Sequence, residues 1–334
     1  MSIIKMLRIY ALITAMVSLL SSGSVFGKTE LTANEQRVIK ARLTPIPAQA
    51  DNPNNPITPE KVALGKRLFF ETALSNPKAN NGNLVSCNTC HDLTAYGVDG
   101  IDRSIGIMKF KVPVNAPTVY NSALHFRQFW DGRAKDVEEQ ALGPITATSE
   151  MGFTDSKADQ AQVLNQLKKA DPEYVQQFAE AFPKDGAKAF SFNNIGRAIG
   201  AFERTLLTPS RFDQYLKGKT SALTAREQRG LKLFVSLGNG GCVFCHNGAA
   251  IGGGQFRILG ERNQQPKAGD QLAQKVFKGL PSPLKVPSLR NIEKTGPYFH
   301  NGSVTSLDEA IRFMAYYQLG VTVTAAQVKD LRVF

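Results

Sequence analysis

The apolar residues divide the chain into a short leading run and a long amphipathic remainder. Ile9–Leu20 is apolar, follows Lys5 and Arg8, and precedes the small residues Val25 and Gly27 just before Lys28. Charge, apolar run and small residues in that order describe a secretory signal peptide. The run is short for a bilayer span, which needs ~20 residues. Residues 1–27 are therefore read as a cleaved leader and set apart from the fold. Beyond them few runs alternate with period two, so a mainly α chain is expected. Thr58-Pro59-Glu60 starts one helix with a cap and a proline in the first turn, and Thr224-Ala-Arg-Glu227 is a capping box for another. Each of these helices carries Gly-x-x-Leu-Phe, at 65–69 and at 230–234. In each, Leu-Phe lies on the apolar face.

The likeness between these two helices extends into a repeat. Pro117-Thr-Val-Tyr-Asn121 matches Pro287-Ser-Leu-Arg-Asn291, and Phe129-Trp130-Asp131-Gly132 matches Phe299-His300-Asn301-Gly302, both at an offset of 170. Val137-Glu-Glu matches Leu307-Asp-Glu, each the start of a helix. The chain reads as a tandem duplication, residues 28–203 and 204–334, with the crossover near Arg204–Gly218. Between Phe69 and Cys87 the first copy carries a ten-residue insertion rich in Asn and Gly.

All four cysteines fall in the repeat, as Cys87-Asn-Thr-Cys90-His91 and Cys242-Val-Phe-Cys245-His246. Disulfide, zinc and thiol redox readings exist for such pairs. The histidine directly after each pair favours covalent haem: two thiols add to the vinyl groups and the imidazole reaches the iron. The expected architecture is two tandem cytochrome c-like haem domains, with two covalently bound haem c groups.

The copies differ beyond the second match. Met314 lies on the helix expected over Leu307–Leu319 and can serve as the sixth ligand of an electron-transfer haem; it can equally be core filler. At the same offset the first copy has Pro144, followed by Thr146-Ala-Thr-Ser-Glu150-Met151. A carboxylate therefore follows where the other copy has a thioether. This suggests one closed haem and one open haem beside an acid–base group.

SCNTCHD, NAPTVYNS, QFWDGRA, EEQALGP, SEMG, GCVFCHNG, VPSLRN, PYFHNGS and MAYYQLG together resemble the bacterial dihaem cytochrome c peroxidases, over about Thr58 to Gly320. The superfamily includes the dihaem enzyme that matures the methylamine dehydrogenase cofactor. The resemblance implies a periplasmic enzyme reducing hydrogen peroxide to water. Electrons from a small redox protein, a cytochrome c or a cupredoxin, would enter at the haem of Cys242, Cys245, His246 and Met314. They would pass to the peroxidatic haem of Cys87, Cys90 and His91. The resemblance makes Glu150 and Gln140 active-site residues and sets Trp130 between the haems. It gives Asn115, with the carbonyls of Thr295 and Pro297, to a calcium ion, and it implies a homodimer.

The chemistry fits those roles independently. Splitting peroxide needs an open iron site, two electrons and a proton for the leaving oxygen, which Glu150 can move between the two oxygens. One departure concerns Ser104-Ile-Gly-Ile107. Many relatives place an iron-ligating histidine where this chain has Ile107, so the first haem is expected to be five-coordinate or water-bound. Met108 is the one neighbouring donor. His125 and His300, the only other histidines, are expected at packed or interface positions. The formal charge of +12, or +10 without Lys5 and Arg8, suits an acidic protein partner. Nucleic acid is not expected for an exported chain whose basic residues are scattered. Two further functions compete: oxidation of a protein substrate, where relatives replace the methionine by tyrosine, and electron carriage without catalysis, which needs no Glu150.

Overall fold

The computed structural model describes residues 30–79, 84–238, 240–263, 266–267, 269–279 and 283–334. The leader assigned to residues 1–27, and part of the insertion, lie outside them. No helix among the described residues is long and apolar enough to cross a membrane.

The fold is mainly helical. In chain order the helices are α1 (Ala33–Arg42), α2 (Pro59–Phe69), α3 (Cys87–Cys90), α4 (Val137–Gln140), α5 (Lys157–Ala170) and α6 (Tyr174–Ala181). They continue as α7 (Phe192–Glu203), α8 (Arg211–Leu216), α9 (Ala225–Ser236), α10 (Gln271–Phe277), α11 (Leu307–Phe313) and α12 (Ala325–Val333). Among the described residues the sheet structure is one antiparallel pair of two-residue strands, β1 (Phe256–Arg257) and β2 (Leu284–Lys285).

The expected caps are present. Thr58 accepts from the Lys61 amide with Pro59 in the first turn, and Thr224 and Glu227 close a capping box. The Gly-x-x-Leu-Phe glycine has the same use in both copies. A Cβ on Gly65 of α2 would lie 1.9 Å from the Ala198 carbonyl oxygen of α7, and one on Gly230 of α9 would lie 2.1 Å from that of Asp330 of α12. Glycine costs a helix about 0.5–1 kcal/mol relative to alanine. Here it lets two backbones touch.

The first core gathers Leu68, Phe69, Ile145, Phe153, Phe178 and Ile199 around α7. A second core joins Phe212, Leu231, Phe234 and Val243. Ile39 of α1 and Leu43 just after it belong to that second core, so the start of the described chain crosses over to it. Tyr298, Phe313 and Tyr317 form a third cluster beside α11.

The two repeats exchange contacts reciprocally. The Asn115 amide donates to the His300 carbonyl (2.7 Å), and the Lys285 amide donates to the Trp130 carbonyl (2.8 Å). Both pairs relate by the offset of 170. Asn121 and Asn291 share a left-handed backbone, φ 61° in each, as do Phe129 and Phe299. Both asparagine amides donate to the same Thr208 hydroxyl, at 2.7 and 3.0 Å. Residue i meeting j′ while j meets i′ is the signature of a two-fold arrangement, here within one chain. Two buried ion pairs brace the junction: Arg204 on Glu138 (2.7 and 2.8 Å) and Arg290 on Asp213 (2.7 and 2.8 Å).

Candidate active site

Each cysteine pair starts a short helical turn that ends on its histidine. The His91 amide donates to the Cys87 carbonyl and the His246 amide to the Cys242 carbonyl, both at 2.9 Å. The imidazoles are then fixed from the far side: Nδ1 of His91 is 3.3 Å from the Gly97 carbonyl, and Nδ1 of His246 is 3.1 Å from the Pro287 carbonyl. A carbonyl can only accept, so Nδ1 carries the proton and Nε2 keeps its lone pair for a metal. Burial lowers the pKa of both rings, that of His246 to about 4, and keeps them neutral.

The four cysteines are free and partly buried. Among the described residues no three His, Cys, Asp or Glu side chains converge as they would around a metal ion. Two thiols and an imidazole on one short turn, without convergence, fit a flat macrocycle better than tetrahedral zinc. Buried ring nitrogens without a partner, Nε2 of His125 and Nδ1 of His300, fit a polar group absent from the polypeptide.

Around the first motif, three segments meet. Burial, with smaller contributions from the charges of Asp99 and Glu150, pushes the Cys90 thiol up to about 11, so Glu150 stands near that motif. The Glu150 segment is held through its backbone. The Glu150 carbonyl accepts from the Ile107 amide (2.8 Å), and Asn76 binds the carbonyls of Met151 (2.8 Å) and Gly152 (2.9 Å). Asn76 belongs to the insertion found only in the first copy. Burial raises the Glu150 carboxyl above the ordinary range, and the Arg133 cation partly offsets this.

Ser104–Val112 forms a tight hairpin, with Ile105 bridged to Lys111. Ile107 is 1% exposed and packs towards Gly152, while Met108 is exposed at the tip. Gly106 allows the docking, since a Cβ there would sit 1.7 Å from the Ser149 carbonyl oxygen. Burying Ile107 contributes roughly 1.5–3 kcal/mol, which holds the hairpin against the Glu150 segment.

Around the second motif, the helix expected over 307–319 changes character. After α11 comes a π-turn, Met314–Gln318, in which the Leu319 amide donates to the Met314 carbonyl (3.2 Å). Such turns insert one residue and occur often at functional sites. Met314 packs, partly buried, in the third cluster. Tyr317 donates its hydroxyl to Asp270 (2.5 Å), and Tyr316 lies under the Lys267 ammonium.

At the boundary of the repeats, the Trp130 indole donates to the Asn115 carbonyl (2.9 Å), and its ring meets His300 edge-on at 6.4 Å. The buried Asn115 amide donates to the Pro297 carbonyl (2.7 Å). Thr295 is two residues earlier on the same turn. Gln140 closes α4 with its side chain half-buried. His125 is packed against Gly253 and Lys285. Sequence reasoning passed over Lys285, although the offset of 170 pairs it with Asn115.

Residues 59–221 match the model of the di-haem cytochrome c peroxidase family. The chain is 38% identical over 309 residues to a cytochrome c551 peroxidase of Pseudomonas aeruginosa, covering 88% of this chain and 83% of that one. The chain belongs to the di-haem cytochrome c peroxidase family. It is also 32% identical to the methylamine utilization protein MauG of Methylorubrum extorquens, over 87% of this chain and 78% of that one. Among solved structures it resembles a MauG-like protein associated with microbial copper homeostasis. The TM-score is 0.67 at 30% identity, covering 86% of this chain and 92% of the other. Members of this family are di-haem proteins, and the two motifs with their fixed imidazoles are where this chain would hold them.

Proposed function

We propose that the chain is a periplasmic peroxidase of two tandem haem c domains, reducing hydrogen peroxide to water with electrons from a small cytochrome c or cupredoxin. The observation that carries this reading is the divergence of two homologous sites, a thioether on a π-turn in one and a half-buried carboxyl in the other. When bound, haem supplies a peroxide-binding centre at the first site and an electron-entry centre at the second. His91 and His246 would ligate iron from one side, and Met314 would close the second site.

Glu150 does the proton work. Its carboxylate takes the proton of one peroxide oxygen and returns it to the other, so that the departing oxygen leaves as water. Burial makes it a better base than a solvated glutamate. Gln140, half-buried at the end of α4, is the neutral polar partner of that site. Trp130 and His300 are the aromatic contact between the repeats through which electrons would pass. Asn115, Thr295 and Pro297 would supply neutral oxygens to a calcium ion. Without a carboxylate, such a site leans on water and binds modestly. Homodimers are proposed on the resemblance alone.

A second reading, oxidation of a protein substrate, draws on the likeness to MauG. Retention of Met314 and the engagement of the Tyr317 hydroxyl by Asp270 favour the peroxidase. The test is peroxide turnover by haem-loaded protein with a reduced small cytochrome, wild type against Glu150→Gln. Absence of turnover in loaded wild type would overturn the proposal.

A further inference from the structure

Lys285 is a buried cation without an anion. The residue is 6% exposed, and no ion pair reaches it. None of the Asp and Glu side chains, all of which lie among the described residues, pairs with it. Its ammonium is 3.2 Å from Nδ1 of His125. A lysine can only donate, so His125 accepts at Nδ1 and carries its proton on Nε2. That Nε2 is buried and has no partner. The site thus holds two kinds of unsatisfied donor, the remaining ammonium protons and the imidazole N–H. A buried ammonium alone costs several kcal/mol, and burial here depresses the Lys285 pKa to about 8.

The position is built into the fold. The Lys285 backbone is pinned to the Trp130 carbonyl, and the His125 ring is pressed against Gly253, where a Cβ would fall 2.1 Å from it. Two residues on, the Pro287 carbonyl faces His246. Under the internal two-fold, Lys285 corresponds to Asn115 and His125 to Thr295. One half of the boundary therefore carries neutral side chains at these positions, and the other carries a cation of its own.

We propose that Lys285 and His125 form the binding site for a carboxylate of a haem at the boundary of the repeats. This rests on the haem reading above. The ammonium and the imidazole N–H complete their bonds on the carboxylate oxygens, and the pair sets the charge felt by that haem.

Potentiometric titration of both haems tests this, on wild type, Lys285→Met, Lys285→Arg and His125→Phe, each checked for two haems per chain. Removing a cation favours the more positive, oxidised iron. The expected result is a midpoint potential shifted to lower values in Lys285→Met, with a smaller fall in His125→Phe and near wild-type behaviour in Lys285→Arg. The haem that moves is the owner of the carboxylate. Fully loaded Lys285→Met with both potentials unchanged would overturn the inference alone. An unloaded wild type would overturn the haem reading with it. If Lys285→Met fails to fold, Lys285→Arg and His125→Phe decide the matter: a potential unmoved in His125→Phe counts against the site.

Discussion

The segments that follow the two Phe-x-x-Gly loops begin alike and end differently. In the second copy, the helix after Ser306 runs through Phe313 and a π-turn adds a residue at Met314. In the first, the helix stops after four residues at Gln140, and Pro144 sits where Met314 would be. The first copy then adds material from elsewhere. The hairpin of Ile107 binds the carbonyl of Glu150 itself, and Asn76 of the insertion binds the carbonyls of the two residues that follow it. One repeated scaffold thus presents a thioether from its own helix in one copy. In the other, two additional segments hold the backbone that carries a carboxyl. The comparison teaches that the chemistry separates over a few residues, while caps, glycine contacts and histidine supports stay shared.

The comparison breaks most completely at Glu150. Glu150→Gln should cut peroxide turnover by roughly 10²- to 10⁴-fold, with haem content unchanged; turnover within a few-fold of wild type would remove the carboxyl from the mechanism. Its counterpart is Met314→Leu. The second haem should lose its methionine-ligated spectrum and fall in potential, while the spectrum of the first stays as it was. Ile107→His tries to give the first copy a ligand of its own. Wild type should be five-coordinate or water-bound in the oxidised state and react with peroxide before the second haem is reduced. The variant should turn six-coordinate and low-spin, and its turnover should show a lag. A low-spin first haem in oxidised wild type would contradict the open-site reading.

Gly106→Ala probes the support beneath the carboxyl. The added methyl meets the Ser149 carbonyl, so a loss of about 1–3 kcal/mol in stability is expected, with activity falling further than melting temperature alone accounts for. The smallest effect is electrostatic. Glu150 must be ionised to accept a proton, so the rate should fall as pH drops through a pKa above the usual ~4.3 of glutamate. Arg133 holds that pKa down from an exposed position. Arg133→Gln should move the acid limb to higher pH, and Glu150→Gln should abolish it.

Much of the framework could be read from the residues, since caps and repeats act over a few positions. Thr58, Thr224 and the paired glycines are examples, as is the mainly helical class. Tertiary partners hid the rest. Nothing local in Met-Ala-Tyr-Tyr-Gln announces a π-turn. The burial of Ile107 beside an exposed Met108 depends on a segment some forty residues away. α1 joins the second core by a crossing that no period in the sequence records. Lys285 looks like a surface lysine until the strand pair carries it inside.

Thr208 has a consequence of its own. A two-fold axis cannot pass through an ordinary side chain without generating a second, overlapping copy. In two separate copies of this repeat, Asn121 and its mate would face each other across the axis with nothing single between them. Joining the copies into one chain supplies a residue that occurs once, and its hydroxyl oxygen has two lone pairs, one for each asparagine. The linker is thereby a keystone: cutting the chain into its two repeats would leave one half holding the only stone that fits the gap.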